Sequence, residues 1–279
     1  MHPILFEFDT PHWLQGFLPA HVALYSYGFF IALGILASFV FMLPRLKPLG
    51  FDADKLSTLY LWAILAAFVG GKIFFYLESP AKYLNDPSLM LKSLGGGFVF
   101  YGSLLFVVPT LYWWLRKNKI AIAPFFDVLA FGGPILHAIG RIGCFMAGCC
   151  HGSTCSNFLG VTYSHPKSSA IPLNMPLYPT QLFDVVLNII ILIVLFWLIK
   201  RQKFHGQLFL VYIMMYAVGR SIVENFRGDE ARGFIFNGWL SHSQAIALVL
   251  ITASLLLWRK LSKSEAIQEQ EGPPEVPQH

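Results

Sequence analysis

Seven stretches of this chain are apolar for roughly twenty residues each, and no other feature constrains the fold as strongly. They run His21–Leu43, Leu56–Leu77, Gly97–Leu115, Ile122–Ala147, Pro179–Ile199, Gly206–Glu224 and Leu240–Trp258. At ~1.5 Å of rise per residue, about 20 residues cross ~30 Å of hydrocarbon. In lipid every backbone N–H and C=O must be paired within the span or in a closed barrel, so the spans are read as helices. Composition agrees: 56% of residues are hydrophobic and 13% charged, against roughly 45–50% and 25% in soluble domains. The expected fold is an all-α polytopic membrane protein of about seven transmembrane helices.

These spans make one bundle over residues 1–263, with an arm at about 78–96 and a cap at about 148–178. The polar, acidic, Pro-rich end from Ser264 to His279 is expected to be disordered. The first twenty residues hold Glu7 and Asp9 but no basic segment followed by an apolar run, so no cleavable signal peptide is expected. The net charge of +5 does not point to nucleic acid, because the basic residues are dispersed between apolar spans.

Lysine and arginine set the orientation. Twelve of them (Arg45, Lys47, Lys55, Arg116, Lys117, Lys119, Lys200, Arg201, Lys203, Arg259, Lys260 and Lys263) fall on one side. Five (Lys82, Lys92, Lys167, Arg227 and Arg232) fall on the other. The richer side is expected to be cytoplasmic, which puts the N-terminus outside, the C-terminus inside and the cap outside. With that orientation, the polar residues inside the spans gather in the outer third of the membrane. Tyr27, Lys72, Tyr101, His137, Arg141, Gln181, Asp184, Arg220 and Glu224 all map there, with Asp127 alone near the opposite end. A charge at the centre of a lone span costs about 2.5–3.5 kcal/mol, so such groups face a cavity or each other. His137 and Arg141 are four residues apart, and Tyr216, Arg220 and Glu224 repeat that spacing, which places each set on one helix face. Arg220–Glu224 and Lys72–Asp184 are possible structural ion pairs. Several arginines at one depth exceed what pairing requires, and guanidinium forks match phosphate oxygens, so an anionic lipid head group is the expected ligand.

The run Gly140-Arg141-Ile142-Gly143-Cys144-Phe145-Met146-Ala147-Gly148, followed by Gly152, resembles the signature of the bacterial prolipoprotein diacylglyceryl transferases. That signature reads Gly-Arg-x-Gly-Asn-Phe-x-Asn-Gly-Glu with a glycine three residues later. Tyr27-Gly28, Gly70-Gly71-Lys72, Pro179-Thr180-Gln181-Leu182-Phe183-Asp184, Arg220-x-x-x-Glu224-x-x-Arg227 and Ser243-Gln244 are similar to further family patterns in the same order. The resemblance implies a transferase of the bacterial inner membrane that moves a diacylglyceryl group from phosphatidylglycerol to the lipobox cysteine of a prolipoprotein signal peptide. It implies Arg141 and Arg220 as the essential arginines and places Tyr27, Glu224 and Arg227 in the site. Taken with the depth argument, the candidate catalytic residues are Arg141, Arg220, Tyr101 and Glu224, and the candidate substrate-binding residues Tyr27, Lys72, His137, Gln181, Arg227 and Gln244. No cofactor and no metal is called for. Cys144, Ala147 and Cys149 replace the signature's two asparagines and its glutamate, and Tyr101-Gly102 stands where the family has His-Gly. The general base is therefore open: Tyr101, Glu224, His137 or no residue. Two other readings stay open, the same chemistry with a different acceptor and a non-enzymatic lipid-binding or transport protein.

Cys144, Cys149, Cys150 and Cys155 lie within twelve residues of one another, with His151 among them. In an oxidising compartment a disulfide is expected, Cys149 or Cys150 with Cys155 being favoured over a bond between neighbours. Free thiols and a metal site are the alternatives, the latter disfavoured because the spacing lacks paired Cys-x-x-Cys knuckles.

Overall fold

The structure, a computed structural model, describes residues 1–11, 21–94, 96–227, 234–235 and 240–271. Arg232 and the last eight residues of the acidic tail lie outside the described residues. The described helices are α1 (Ser26–Leu46), α2 (Ala53–Leu77), α3 (Pro80–Asn85), α4 (Ser88–Lys92), α5 (Phe100–Lys117), α6 (Ile122–Ala147), α7 (Thr180–Leu198), α8 (Gln207–Glu224) and α9 (His242–Glu271). Three two-stranded antiparallel ribbons pair β1 (Ile4–Asp9) with β2 (His21–Tyr25), β3 (Val161–Thr162) with β4 (Pro176–Leu177), and β5 (Phe234–Ile235) with β6 (Leu240–Ser241).

Six of the helices are long and apolar enough to cross a membrane: α1, α2, α6, α7, α8 and α9. They leave large side chains such as Ile193, Trp197, Val249 and Leu256 more than half exposed. This is a multi-pass membrane protein. The expected count of about seven spans is close. The third predicted span does form as α5, but its 18 residues include Pro109 and end on Arg116 and Lys117, which shortens its apolar part. The first span starts later than expected, because His21–Tyr25 pairs with Ile4–Asp9 as a strand, with Asp9 opposite His21. Helix α9 continues to Glu271, beyond the Ser264 at which order was expected to end.

Contacts divide the chain into two units, Met1–Met42 with Phe126–His279, and Leu43–Phe125. In the second unit α2 and α5 run antiparallel and nearly touch at Gly70 and Gly102. A Cβ added at either glycine would collide with the other's carbonyl oxygen, so only glycine permits the crossing. Ser103 Oγ adds a 2.9 Å bond to the Ala67 carbonyl. The chain between α2 and α5 is the expected arm, built from α3 and α4, and Lys72 holds it. The Lys72 ammonium donates to the carbonyls of Ser93, Gly96 and Gly97 at 2.6, 2.6 and 2.9 Å.

In the first unit α6 is the axis. Its small-residue face, from Gly132 through Gly140 and Gly143, meets Met42, Ile31 and Tyr27 of α1 in antiparallel order. On its other side Ala130 and Phe131 pack with Ile191 and Leu195 of α7 and Leu208 of α8 into an apolar core. Asp127 closes the bottom of that core. Its carboxylate accepts N–H bonds from Gly206 (2.6 Å), Leu208 (2.9 Å) and Phe209 (3.2 Å), and one from the Gln202 amide (2.6 Å). A buried carboxylate over the N-terminus of α8 satisfies orphan N–H groups and complements the helix dipole. This accounts for the one polar residue that mapped to the opposite end.

Asp127→Ala should destabilise the protein by ~2–4 kcal/mol, since charge-assisted bonds are worth about 1.5–3 kcal/mol each and buried donors are left unpaired. Thermal unfolding in detergent, followed by tryptophan fluorescence, would reveal it; an unchanged midpoint would deny Asp127 its capping role.

Candidate active site

Polar groups collect at the other end of the first unit, where α6 and α8 end and α7 begins. Arg141 stands one and a half turns from the end of α6, and Asp184 sits in the first turns of α7. Arg141 Nε lies 3.0 Å from Asp184 Oδ2, the arginine side chain 15% exposed and the aspartate 0%. The same Nε–H points at His137 Nε2, at 3.1 Å. Neither contact uses the Nη groups of Arg141. On α8, Arg220 Nη1 and Glu224 Oε2 are 2.6 Å apart, both side chains mostly buried. Arg220 and Arg227 also lie within electrostatic reach of Asp184, so three guanidinium groups surround one buried carboxylate.

The site holds more hydrogen-bonding capacity than its own residues use. Among the described residues, Asp184 Oδ1 and Asn188 Oδ1 are buried with no hydrogen-bond partner, while Asp184 Oδ2, Arg220 Nη1 and Glu224 Oε2 are engaged in ion pairs. Buried polar atoms are ordinarily paired, and clusters of exceptions mark functional sites. The guanidinium groups, rather than these acceptor oxygens, are what suits an oxyanion ligand, because guanidinium N–H groups can donate two bonds to one phosphate.

The residues that follow α6 are drawn over this end. Gly148 and Cys150 both adopt left-handed backbone, φ 78° and 61°. The Cys149 N–H returns to the Cys144 carbonyl at 3.1 Å. From α7, Thr180 Oγ1 donates to the Cys150 carbonyl (2.7 Å) and Gln181 Nε2 to the Cys149 carbonyl (2.6 Å). Beyond them the cap has its own small core of Tyr163, Ala170 and Leu177. Burial pushes the Tyr163 phenol up to about 12. The Gly152 N–H bonds the Tyr178 carbonyl and the Ser153 N–H bonds the Phe226 carbonyl, which ties the cap to the ends of α7 and α8.

All four cysteines are free thiols. The favoured link from Cys149 or Cys150 to Cys155 is not formed. Cys155 turns instead to Asn157, its sulfur 2.8 Å from Oδ1. The three remaining sulfurs, of Cys144, Cys149 and Cys150, all lie within 4.8 Å of one another. Hydrogen bonds from Cys144 and Cys149, then the nearby charges of Arg141 and Arg227, hold the Cys150 thiol well below its ordinary range, and Cys149 is raised in exchange.

Within the first unit the structure thus brings together most of the residues that the sequence singled out there. Arg141, Arg220, Arg227, Glu224 and His137 converge. Tyr27, at the start of α1, is within electrostatic reach of Arg141 and of the three cysteines. Gln181 does not offer itself to a ligand: it is fully buried and its amide is engaged by Cys149 and Tyr163. Lys72 is not Asp184's partner, which is Arg141, and all three of its N–H donors go to the arm. Tyr101 lies in the first turn of α5, half-exposed, in the second unit, and Gln244 in the first turn of α9, half-buried. Asn188 was missed, although Gln181, Asp184 and Asn188 form a polar stripe at helical spacing in an otherwise apolar span.

The prolipoprotein diacylglyceryl transferase family model matches residues 17–259. The chain belongs to this family. A relative named phosphatidylglycerol–prolipoprotein diacylglyceryl transferase 2, from Clostridium perfringens, is 33% identical, over 84% of this chain and 90% of its own. A Clostridium tetani phosphatidylglycerol–prolipoprotein diacylglyceryl transferase is 32% identical, over 92% and 97%. One from Thermus thermophilus is 27% identical, over 88% and 97%. As a member of this family the protein is an enzyme of lipoprotein biosynthesis, a transferase in the membrane.

Lys72→Met should loosen the arm. Limited proteolysis between Ser79 and Ser93 should become several-fold faster, because three carbonyl groups lose a charged donor at once. Unchanged cleavage would return Lys72 to the list of ligand-binding residues.

Proposed function

We propose that this protein transfers the diacylglyceryl group of phosphatidylglycerol to the thiol of a lipobox cysteine in a prolipoprotein, releasing glycerol phosphate. The single observation that supports this most is the gathering of Arg141, Arg220 and Arg227 around buried Asp184. The relatives are named for the same donor and acceptor.

In this reading the arginines hold the lipid phosphate. A thiolate attacks the glycerol carbon that bears the phosphate oxygen; the C–S bond forms, the C–O bond breaks, and the oxygen leaves with the electron pair. The leaving phosphate passes from one negative charge toward two. Arginines therefore stabilise the transition state more than the bound lipid, which is the condition for catalysis. Asp184 and Glu224 orient two of the three guanidinium groups. Glu224 is tied to Arg220, and His137 Nε2 receives the Arg141 Nε–H, so neither stands as an unengaged base in this arrangement. Tyr101, in the second unit, remains a candidate. A transporter would carry charged groups through the membrane depth; here those of α6, α7 and α8 sit at the two ends with an apolar core between.

Arg141→Lys and Arg220→Lys should each lower transfer about 100-fold or more, ~2.7 kcal/mol of transition-state stabilisation, while inserting normally. Initial rates with phosphatidylglycerol vesicles and a lipobox peptide are the measurement. Near wild-type rates in both variants would reduce the pair to structural roles.

We further place the chain in the bacterial inner membrane with the arginine end facing outward, on the basis of the lysine and arginine bias. Reporter fusions after Arg45, Arg116, Lys200 and Lys260 should signal cytoplasm, and one within Ser153–Pro176 the outside. A cytoplasmic signal from the cap would invert the topology and detach the site from its proposed acceptor.

A further inference from the structure

The transfer reading leaves one cluster of nucleophilic groups without a role: the three thiols at the end of α6. Their convergence is built by the fold. Gly148 takes left-handed backbone, and Cys150 does so too, although it carries a side chain. A non-glycine residue in that region is uncommon and strained. The turn is held from three sides, by the Cys149 N–H on the Cys144 carbonyl, Thr180 on the Cys150 carbonyl and Gln181 on the Cys149 carbonyl. A side chain at Gly148 would be strained by its positive φ, and a Cβ there would displace Ser168 Oγ. The result is three sulfurs within 4.8 Å of one another, Cys144 buried and the other two half-buried.

That separation is close to what one ion requires. Thiolates ~2.3 Å from a tetrahedral zinc ion stand ~3.8 Å apart, a closure that small side-chain rotations supply. Among the described residues no fourth Cys, His, Asp or Glu joins the cluster. His151, the nearest by sequence, has its Nδ1 at 2.8 Å from the Gly152 carbonyl and its Nε2 at 3.3 Å from the Ile171 N–H. Three protein ligands with one position left for another group is the pattern of catalytic rather than structural zinc. Three thiolates and a divalent ion carry a net charge of minus one, which Arg141 and Arg227 face.

We propose that Cys144, Cys149 and Cys150 form a three-thiolate site for one thiophilic divalent cation of the zinc class, whose fourth position takes the acceptor cysteine as its thiolate. The second half of this inference rests on the transfer reading; the first does not. Coordination removes the proton from the acceptor thiol, which passes to solvent. The bound sulfur then supplies the electron pair for the C–S bond as the C–O bond to phosphate breaks. The ion neither gains nor loses electrons. The site thus supplies what Glu224 and His137, both engaged by arginines, do not.

The test uses the full-length protein in detergent, purified under reducing conditions and loaded with Co(II) or Zn(II). One ion per chain is expected, with a sulfur-to-Co(II) charge-transfer absorption. Cys149→Ser and Cys150→Ser should weaken binding at least 10-fold, whereas Cys155→Ser, which leaves the cluster intact, should not. Thermal midpoints for each variant separate lost binding from lost folding, and a double Cys144→Ala, Cys149→Ala variant that stays folded serves if a serine variant does not. Adding a lipobox peptide should alter the Co(II) spectrum, and its Cys→Ser counterpart should not. Substoichiometric metal in the wild type, binding indifferent to the Cys149 and Cys150 changes, or a disulfide within the trio that resists mild reduction would overturn the site. Stoichiometric metal with a spectrum indifferent to the peptide would overturn the acceptor assignment. Intact metal binding in a protein that transfers no lipid would instead count against the transfer reading and leave the metal site standing.

Discussion

Arg141 and Asp184 meet at 3.0 Å in a place where the aspartate has no exposure at all, and much of the first unit follows from that contact. A guanidinium near the end of a membrane helix is costly unless a carboxylate answers it, and breaking such a buried pair costs about 3–5 kcal/mol. The pair therefore joins the end of α6 to the beginning of α7. One turn earlier on α7, Thr180 and Gln181 grip the carbonyls of Cys150 and Cys149. The loop that leaves α6 is thus folded back by the same helix that neutralises its arginine. Close approach of α1 at Gly140 and Gly143 then brings Tyr27 to the same end.

The unit's two ends handle charge in different ways. Asp127 is saturated: it accepts four hydrogen bonds, three from backbone N–H groups at the start of α8. The arginine end is not, since Asp184 Oδ1 and Asn188 Oδ1 are buried without a hydrogen-bond partner. Equal burial with unequal satisfaction distinguishes a structural cap from a ligand site. The apolar core of Phe131, Ile191, Leu195 and Leu208 separates the two. Lys72 in the second unit behaves like Asp127, with every donor assigned, which is why a charged residue in a membrane helix is not by itself evidence of ligand binding.

Much of this was legible in the chain. Span α6 has the predicted limits, Ile122–Ala147, because its apolar run is bounded by turn residues on both sides. The i, i+4 spacing on α8 predicted the Arg220–Glu224 pair, since helical geometry alone brings those side chains together. The strand at His21–Tyr25 was not legible: an apolar run reads alike as helix or strand until its partner, Ile4–Asp9, is placed beside it. Disulfide reasoning also failed, because compartment and spacing say nothing about the direction in which a thiol points. Cys155 faces Asn157, whereas Cys144, on the preceding helix, faces Cys149 and Cys150.

Hydrophobic run length, charge bias and residue type are local quantities, so the sequence by itself determined that the chain crosses a membrane many times, which helices carry arginines, and which family patterns it bears. Which carboxylate answers which cation is a matter of three-dimensional distance. Only the tertiary structure decided that Asp184 belongs to Arg141 and that Lys72 belongs to the arm. It alone turned Gln181 from a ligand-facing group into a support for the cysteine loop, because a side chain's hydrogen-bonding partners depend on which backbone carbonyls folding brings within ~3 Å.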